Sequence, residues 1–525
     1  MKTAPPSRMS RADVLAGVSV ALVLIPQSMA YAELAGLPPV HGLYASAFPV
    51  IAAFFFASSP YMQTGPVALT SLLTLSALMP LAAAGTAEYA ALAALLALVV
   101  GVARMLVGML KAGWLVYLMS HSMMAGFLSA AALLILSSQL PGAFGVASPE
   151  TGVLGRAWFA VAHPEAWDPA AVGLTAFTVA VVIGAAKLHP LVPGVLIAAA
   201  VGLVFSVVTG YEGATVGAIP AGLPPVSFDL PWSRLPSLIV PGLVISVIGF
   251  AEGVSIARVF ASEQRQHWDA DREFLSKGLA TAVAGLCSGF PIGGSLSRTS
   301  VNRLAGAESR WSGLVTGVAV LCFLPFAPVL SPLPRAVLSG IVIAAVWKLI
   351  RPRQLLGLWR VSRPQALVAW GTWGATLLLA PKVDHAVIVG IALASGVHLW
   401  RELTPHVTAE RVENTLVLEP SGVLWFGSAP ALEDKLFARL AAEPDVDRVV
   451  VRCGGLGRID ITGAYTLAEM LEQARRAGID MVLEDVPGHA KRLLSAVGID
   501  TRGPPEAKPG EGASGRGGTG SVAGP

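Results

Sequence analysis

The sequence predicts an α-helical polytopic membrane protein of about 14 spans with a small α/β domain behind it, and three observations carry that prediction. The 525 residues are 54% hydrophobic and only 13% charged, with a mean hydropathy of +0.67, against roughly 25% charged residues in an average soluble domain. Residues 12 to 401 hold apolar runs divided by Gly, Pro or charged punctuation, and a helix needs about 20 residues to cross a hydrocarbon core. After about residue 405 the runs give way to short alternating and amphipathic segments of a soluble fold.

The elements follow in order. The stretch MKTAPPSRMSRADVLAG puts basic residues ahead of the first apolar run without a small-residue cleavage site, so residues 1–11 read as a cytoplasmic lead-in to span one. The membrane domain covers 12–405, with span centres near 22, 49, 72, 98, 130, 179, 200, 246, 281, 298, 320, 342, 372 and 391. Spans three and ten are short and interrupted. Cytoplasmic loops collect Lys and Arg; with the N-terminus inside, eighteen basic residues, Arg104 and Lys277 among them, fall on the inside and only Arg156, Arg234, Arg335 and Lys382 outside. On this count Arg298 is the sole basic residue at membrane depth, and both termini are cytoplasmic.

Residues 410–500 then read as a cytoplasmic α/β domain. NTLVLEPSGVLWFGSA alternates like a strand pair, ALEDKLFARLAAEP is amphipathic, and RVVVRCGG and MVLEDV are buried-strand runs, giving the order β-β-α-β-α-β-α. The tail 501–525 is rich in Gly, Pro and Ser and lacks the large apolar residues that build a core, which predicts disorder.

Composition also excludes several functions. A net charge of +3 with basic residues scattered over loops does not make a nucleic-acid surface. Cys287, Cys322 and Cys453 lie far apart and form neither a disulfide framework nor a metal site. Paired catalytic carboxylates, a Ser/His/Asp set and a phosphate loop are all lacking, so neither an enzyme nor a cofactor is expected.

The two halves of the membrane domain repeat faintly. A shift of 225 lays Gly17 on Gly242 and Gln27 on Glu252; a shift of 228 lays Gly65-Pro66 on Gly293-Gly294 and Thr70 on Arg298. Two near-equal offsets joining spans one with eight and three with ten suggest the inverted repeat common among transporters. The Gly-Pro and Gly-Gly breaks predict half-helices that start at membrane depth, where irregular backbone survives only against protein or a wet cavity. Each start presents unpaired N–H groups and about half a positive charge. Two such starts facing one another make an anion site.

At these residues the sequence resembles a known family. IPQSMAYAELAGLPPVHGLYAS, QTGPVAL, AIPAGLPP, SLSRTSVN and LPRAVLSGIVI are similar to segments of the sulfate permease (SulP) family, the solute carrier 26 anion transporters, and the C-terminal domain resembles the STAS module those proteins carry. The resemblance covers about residues 10 to 500. It implies a seven-plus-seven inverted repeat divided into core and gate domains, a homodimer in a bacterial inner membrane, and secondary transport or exchange of sulfate, bicarbonate, chloride or dicarboxylates.

It also implies site residues. The family places an anion near the starts of spans three and ten, where Arg298 with Ser295 and Ser297 matches its motif; a guanidinium stays charged at any relevant pH. Gln27 and Tyr31 share a helix face one turn apart, and their family counterparts line the site. Val67, Ala68 and Leu296 match the half-helix starts, where backbone N–H would do the work. Glu252, a carboxylate in the middle of span eight, is costly unless paired or protonated. It is expected to balance Arg298 in the empty site and to take up a proton with the anion, sodium being the other candidate coupling ion. Thr462 matches the hydroxyl that is phosphorylated in anti-sigma-antagonist STAS proteins, although Ile461 stands where those proteins have a second hydroxyl and helix capping alone accounts for Asp460 and Thr462. The competing readings are an exchanger or channel of the same fold, the related nucleobase-transporter fold, and a membrane signalling protein with the STAS domain as output.

Overall fold

The structure is a computed structural model and describes residues 8–499 apart from 151, 264, 266, 267, 404 and 405. The tail 501–525 and most of the 1–11 lead-in lie outside the described residues. The chain divides into two units, one ending at Ala394 and one beginning at Ser395.

The first half of the membrane unit runs α1 (Arg11–Leu34), α2 (Val40–Tyr44), α3 (Phe48–Phe56), β1 (Gln63–Gly65), α4 (Ala68–Leu78), α5 (Ala87–Met109), α6 (His121–Phe144), α7 (Val153–Ala162), α8 (Pro169–Leu188) and α9 (Gly194–Thr209). The second runs α10 (Leu235–Glu263), α11 (Ala270–Leu286), β2 (Gly293–Ser295), α12 (Leu296–Leu304), α13 (Trp311–Phe323), α14 (Arg335–Val346), α15 (Pro352–Val361), α16 (Arg363–Leu378) and α17 (Val383–Glu402). Every predicted span centre falls inside one of these helices, while α7 and α15 are additional short ones. By length and composition, seven helices among the described residues can cross a membrane on their own. The rest are shorter because the chain breaks them: span two is split between α2 and α3, and α4 and α12 have 11 and 9 residues.

Local sequence accounts for the starts. Ser10 and Asp13 form a reciprocal capping box on α1, and Asp13, fully buried, also accepts from Glu308 N and Ser309 N, both at 2.9 Å, which ties α1 to the loop before α13. The α12 start is capped by Ser295, whose hydroxyl accepts from Arg298 N at 3.4 Å. On α9 the buried residues include Gly202 and Ser206, whereas Val204, Val207 and Val208 are exposed. Small residues inward and branched apolar residues outward suit a helix whose outer solvent is lipid.

The repeat is visible in the packing. Helix α1 packs on α12 and α13, as α10 packs on α4 and α5; α3 packs on α13, as α11 packs on α5; α6 packs on α16, as α14 packs on α8. Each pair maps onto the other when the halves are exchanged. The contacts also sort the helices into a core of α1 to α5 with α10 to α13 and a gate of α6, α8, α9, α14 and α16. The α5–α11 contact is made by glycines: a Cβ at Gly101 would come within 2.5 Å of Ala282 N, and one at Gly285 within 2.5 Å of Ala94 O.

One expectation fails in this unit. Arg104 and Lys277 do not sit in cytoplasmic loops; they lie inside α5 and α11 at 1% and 3% exposure, so Arg298 is not the only basic residue in the helical interior. A span edge read from sequence is uncertain by a few residues, which is enough to move a cation from loop to helix.

The second unit is a mixed sheet in the order β3 (His406–Val412), β4 (Thr415–Leu424), β5 (Arg448–Arg452), β7 (Asp480–Glu484), with β6 (Leu456–Ile459) pairing the far end of β4. Helices α18 (Ala429–Ala442), α19 (Ile461–Arg476) and α20 (Gly488–Ala496) complete it around a core that includes Leu418, Leu436, Val449 and Leu467. Strand β6, LGRI, is absent from the sequence-based order; four residues with one glycine carry too little alternation to register.

Candidate functional site

The breaks before α4 and α12 meet. Strands β1 and β2 pair antiparallel with Gln63 opposite Ser295, Thr64 opposite Gly294 and Gly65 opposite Gly293. Gly65 faces the residue that the 228 offset lays on it. In a structure with a two-fold axis only residues on the axis face their own equivalents, so the axis of the repeat passes through this pair. Gly65 has φ +149°, in a region that a side chain rarely adopts.

Arg298 reaches into this crossing from the first turn of α12. It is fully buried; Nη1 donates to Gln27 Oε1 at 3.0 Å and Nη2 to the Pro66 carbonyl at 2.9 Å, while Nε meets no partner. Gln27 Nε2 in turn donates to the Tyr31 hydroxyl at 3.1 Å. The residues from spans one, three and ten thus form one chain from Tyr31 through Gln27 and Arg298 to the turn that starts α4. Val67 is the residue before α4, Ala68 its first residue, and both are buried. Leu296 opens α12 with its side chain 56% exposed, beside exposed Ser297, whose hydroxyl lies 3.2 Å from that of Ser295.

Glu252 lies on α10 within electrostatic reach of Arg298 and Tyr31, yet no ion pair joins it to Arg298 among the described residues. Arg298 spends its two terminal nitrogens on Gln27 and Pro66 instead, and Glu252 Oε2 is buried without a partner. An unmade hydrogen bond at a buried group costs about 1–3 kcal/mol. The two atoms belong to groups of opposite charge, Arg298 in the first turn of α12 and Glu252 on α10.

Two further cations brace the crossing, and the sequence reading missed both. Lys277 pairs with Glu273 at 3.4 Å and donates to the Thr64 hydroxyl on β1, while Glu273 also accepts from Ser58 N and Ser59 N at 3.0 Å. Arg104 donates to Thr281 Oγ1 at 2.9 Å, to the Ile292 carbonyl just before β2 at 2.7 Å, and to the α10 carbonyls of Ile245 and Ser246 at 3.3 and 3.4 Å. The apolar run continuing through MLVGML beyond Arg104 was the available signal of its depth.

A separate cleft of about 840 Å³ is lined by Glu33, Arg156, Asp168, Tyr211 and Arg335 among others, and Glu33 pairs with Arg335 at 3.1 Å. It does not include Arg298. In the second unit, Asp460 caps α19 by accepting from Gly463 N at 2.7 Å, and Thr462 is exposed in the first turn. No group of three or more metal-ligating side chains occurs among the described residues.

A helical membrane unit with an inverted repeat and a buried arginine between two broken helices defines an integral membrane transporter of small anions, not an enzyme. Comparison with known proteins gives the same answer: the model of the sulfate permease family matches residues 11–372, and that of the STAS domain matches 406–507. The chain belongs to the sulfate permease family. It is 31% identical to a probable sulfate transporter of Mycobacterium tuberculosis, over 94% of this chain and 92% of that one. It is 30% identical to probable sulfate transporter 4.2 of Arabidopsis thaliana, over 93% and 78%. In fold it matches murine solute carrier 26 family member A9, an anion transporter solved in the inward-facing state, at a TM-score of 0.87 and 21% identity over 95% of this chain and 89% of that one. It also matches the transmembrane domain of the cyanobacterial bicarbonate transporter BicA at 0.62 and 23% identity, over 73% and 97%.

Proposed function

We propose that this protein is a secondary active transporter that carries a small anion, of the class of sulfate, bicarbonate or a dicarboxylate such as fumarate, together with a proton across a bacterial inner membrane. The observation that carries the reading is the pair of orphaned buried atoms, Arg298 Nε and Glu252 Oε2, beside the starts of α4 and α12. An anion bound there takes hydrogen bonds from Arg298, from the Ser295 and Ser297 hydroxyls and from the N–H groups at Ala68 and Leu296. Gln27, held by Tyr31, orients the guanidinium, and Val67 packs the turn. Glu252 takes the proton, which removes a negative charge from beside the incoming anion.

The reading extends to mechanism and placement. The core helices carry the site past the gate in an elevator-like movement; the tight packing inside each helix group supports their acting as separate bodies. Both termini lie in the cytoplasm and the protein is a homodimer, as the family resemblance implies. With Arg104 and Lys277 removed from the loop count, sixteen basic residues on the inside against four outside still favour this orientation.

The test is uptake of labelled sulfate, bicarbonate, chloride and fumarate into proteoliposomes at two pH values, with and without sodium. Wild type is expected to take up at least one of these anions faster when the side of entry is acidic, regardless of sodium. Arg298→Gln is expected to lower uptake by two orders of magnitude or more with the protein still folded. In Glu252→Gln, exchange persists without its pH dependence. Unchanged pH dependence in that variant would refute proton coupling through Glu252.

A further inference from the structure

The charges around the β1–β2 crossing do not cancel. Lys277 is neutralised by Glu273 at 3.4 Å. Arg298 has Glu252 within electrostatic reach. Arg104 has no carboxylate within 4.0 Å among the described residues: its contacts are three backbone carbonyls and the Thr281 hydroxyl, all neutral. A guanidinium at 1% exposure keeps its proton, and a buried charge without a counter-ion is retained against a large desolvation cost.

Its position points at the site. A Cβ on Gly249, one turn before Glu252, would come within 2.7 Å of Arg104 Nη2. The Ile292 carbonyl that Arg104 holds precedes Gly293, which faces Gly65 on the repeat axis. Arg104 is therefore tied to α10 and to the residue before β2, while Arg298 is tied to α1 and to the turn before α4.

We propose that Arg104 is a positioning residue whose uncompensated charge makes the site a dianion site. The proposal rests on the reading that the anion binds at Arg298 with Glu252 protonated. In that state Arg298 and Arg104 present two positive charges without a local negative partner, and a dianion closes the balance where a monoanion leaves one charge open. The attraction of a fixed charge for a ligand scales with ligand charge. Removing Arg104 thus weakens a dianion more than a monoanion, whereas a mere loss of packing weakens both alike.

The experiment measures uptake and cross-competition of sulfate against chloride and bicarbonate at one pH, in proteoliposomes holding wild type, Arg104→Gln, Arg104→Lys and Thr281→Val. Wild type should prefer sulfate. Arg104→Gln, which removes the charge but leaves a polar side chain, should lower that preference at least tenfold, mainly through KM for sulfate. Arg104→Lys should restore most of it, and Thr281→Val, which removes one hydrogen bond but no charge, should leave it in place. Wild type preferring a monoanion, an unchanged ratio in Arg104→Gln, or an equal fall in Thr281→Val each overturns the inference. Should Arg104→Gln fail to fold, the Lys variant decides: a lost preference there overturns it and a retained one supports it. A wild-type protein that moves no anion refutes the reading of the Arg298 site instead.

Discussion

Single side chains hold the crossing in place, and their contacts set what each substitution costs. Gln27 accepts from Arg298 and donates to Tyr31, so Gln27→Leu strips the guanidinium of one partner and is expected to destabilise by about 1–3 kcal/mol, read as a lower melting temperature in detergent. In the soluble unit Cys453 is fully buried and its thiol is pushed up from 9.0 to about 11, chiefly by burial and then by Asp485. The folded thiol holds its proton more tightly than the unfolded one, so its contribution is complete below about pH 9 and is lost as the pH rises to about 11. At about 1.4 kcal/mol per pKa unit the loss is roughly 2–3 kcal/mol. Denaturant melts at pH 8 and pH 11 should show a larger fall for wild type than for Cys453→Ala. Legibility at this scale depended on depth: Arg298 stood out because it follows a glycine break in mid-run, whereas Arg104 and Lys277, nearer the ends of their runs, passed for loop charges.

At the scale of elements, the broken helices were legible because glycine and proline mark them, and the fourteen span centres because apolar runs of helical length are hard to read otherwise. The pairing of β1 with β2 was not legible: three residues on each side, without alternation, give no strand signal, and the pair exists because two helix breaks converge. The α5–α11 contact depends on backbones approaching without side chains between them. Gly101→Val would put a branched side chain where even a Cβ comes within 2.5 Å of backbone, and overpacking of this kind costs about 1–3 kcal/mol or more. Since α11 carries Lys277 against β1, the variant should lose uptake as well as thermal stability. A Cβ added at Gly184 in α8 would meet nothing within 4 Å, so Gly184→Ala should leave uptake intact and raise helix stability by up to about 1 kcal/mol.

At the scale of the whole molecule, each of the two units has buried apolar residues of its own. The second packs its own core from both ends of its segment, Leu416 to Ile499, so a fragment of residues 406–499 should unfold cooperatively by circular dichroism; a broad, non-cooperative melt would show that it needs the rest of the chain. The seven-plus-seven repeat was faint in sequence because only the helix breaks and a few polar positions keep their spacing, while apolar residues interchange freely against lipid. Yet the repeat is imperfect where it matters. Gly65 meets its own equivalent on the axis, but the offset that pairs them lays neutral Thr70 on Arg298. A perfectly two-fold site would meet a substrate identically from either face of the bilayer. With Arg298 on one half and neutral Thr70 at the matching place on the other, the crossing is not the same from its two sides, so in the proposed cycle affinities measured from the two compartments are free to differ. In that cycle, at zero driving force, such a difference is balanced by the resting ratio of its two conformations, and the unequal halves then act as a source of kinetic rectification without any change in the final gradient.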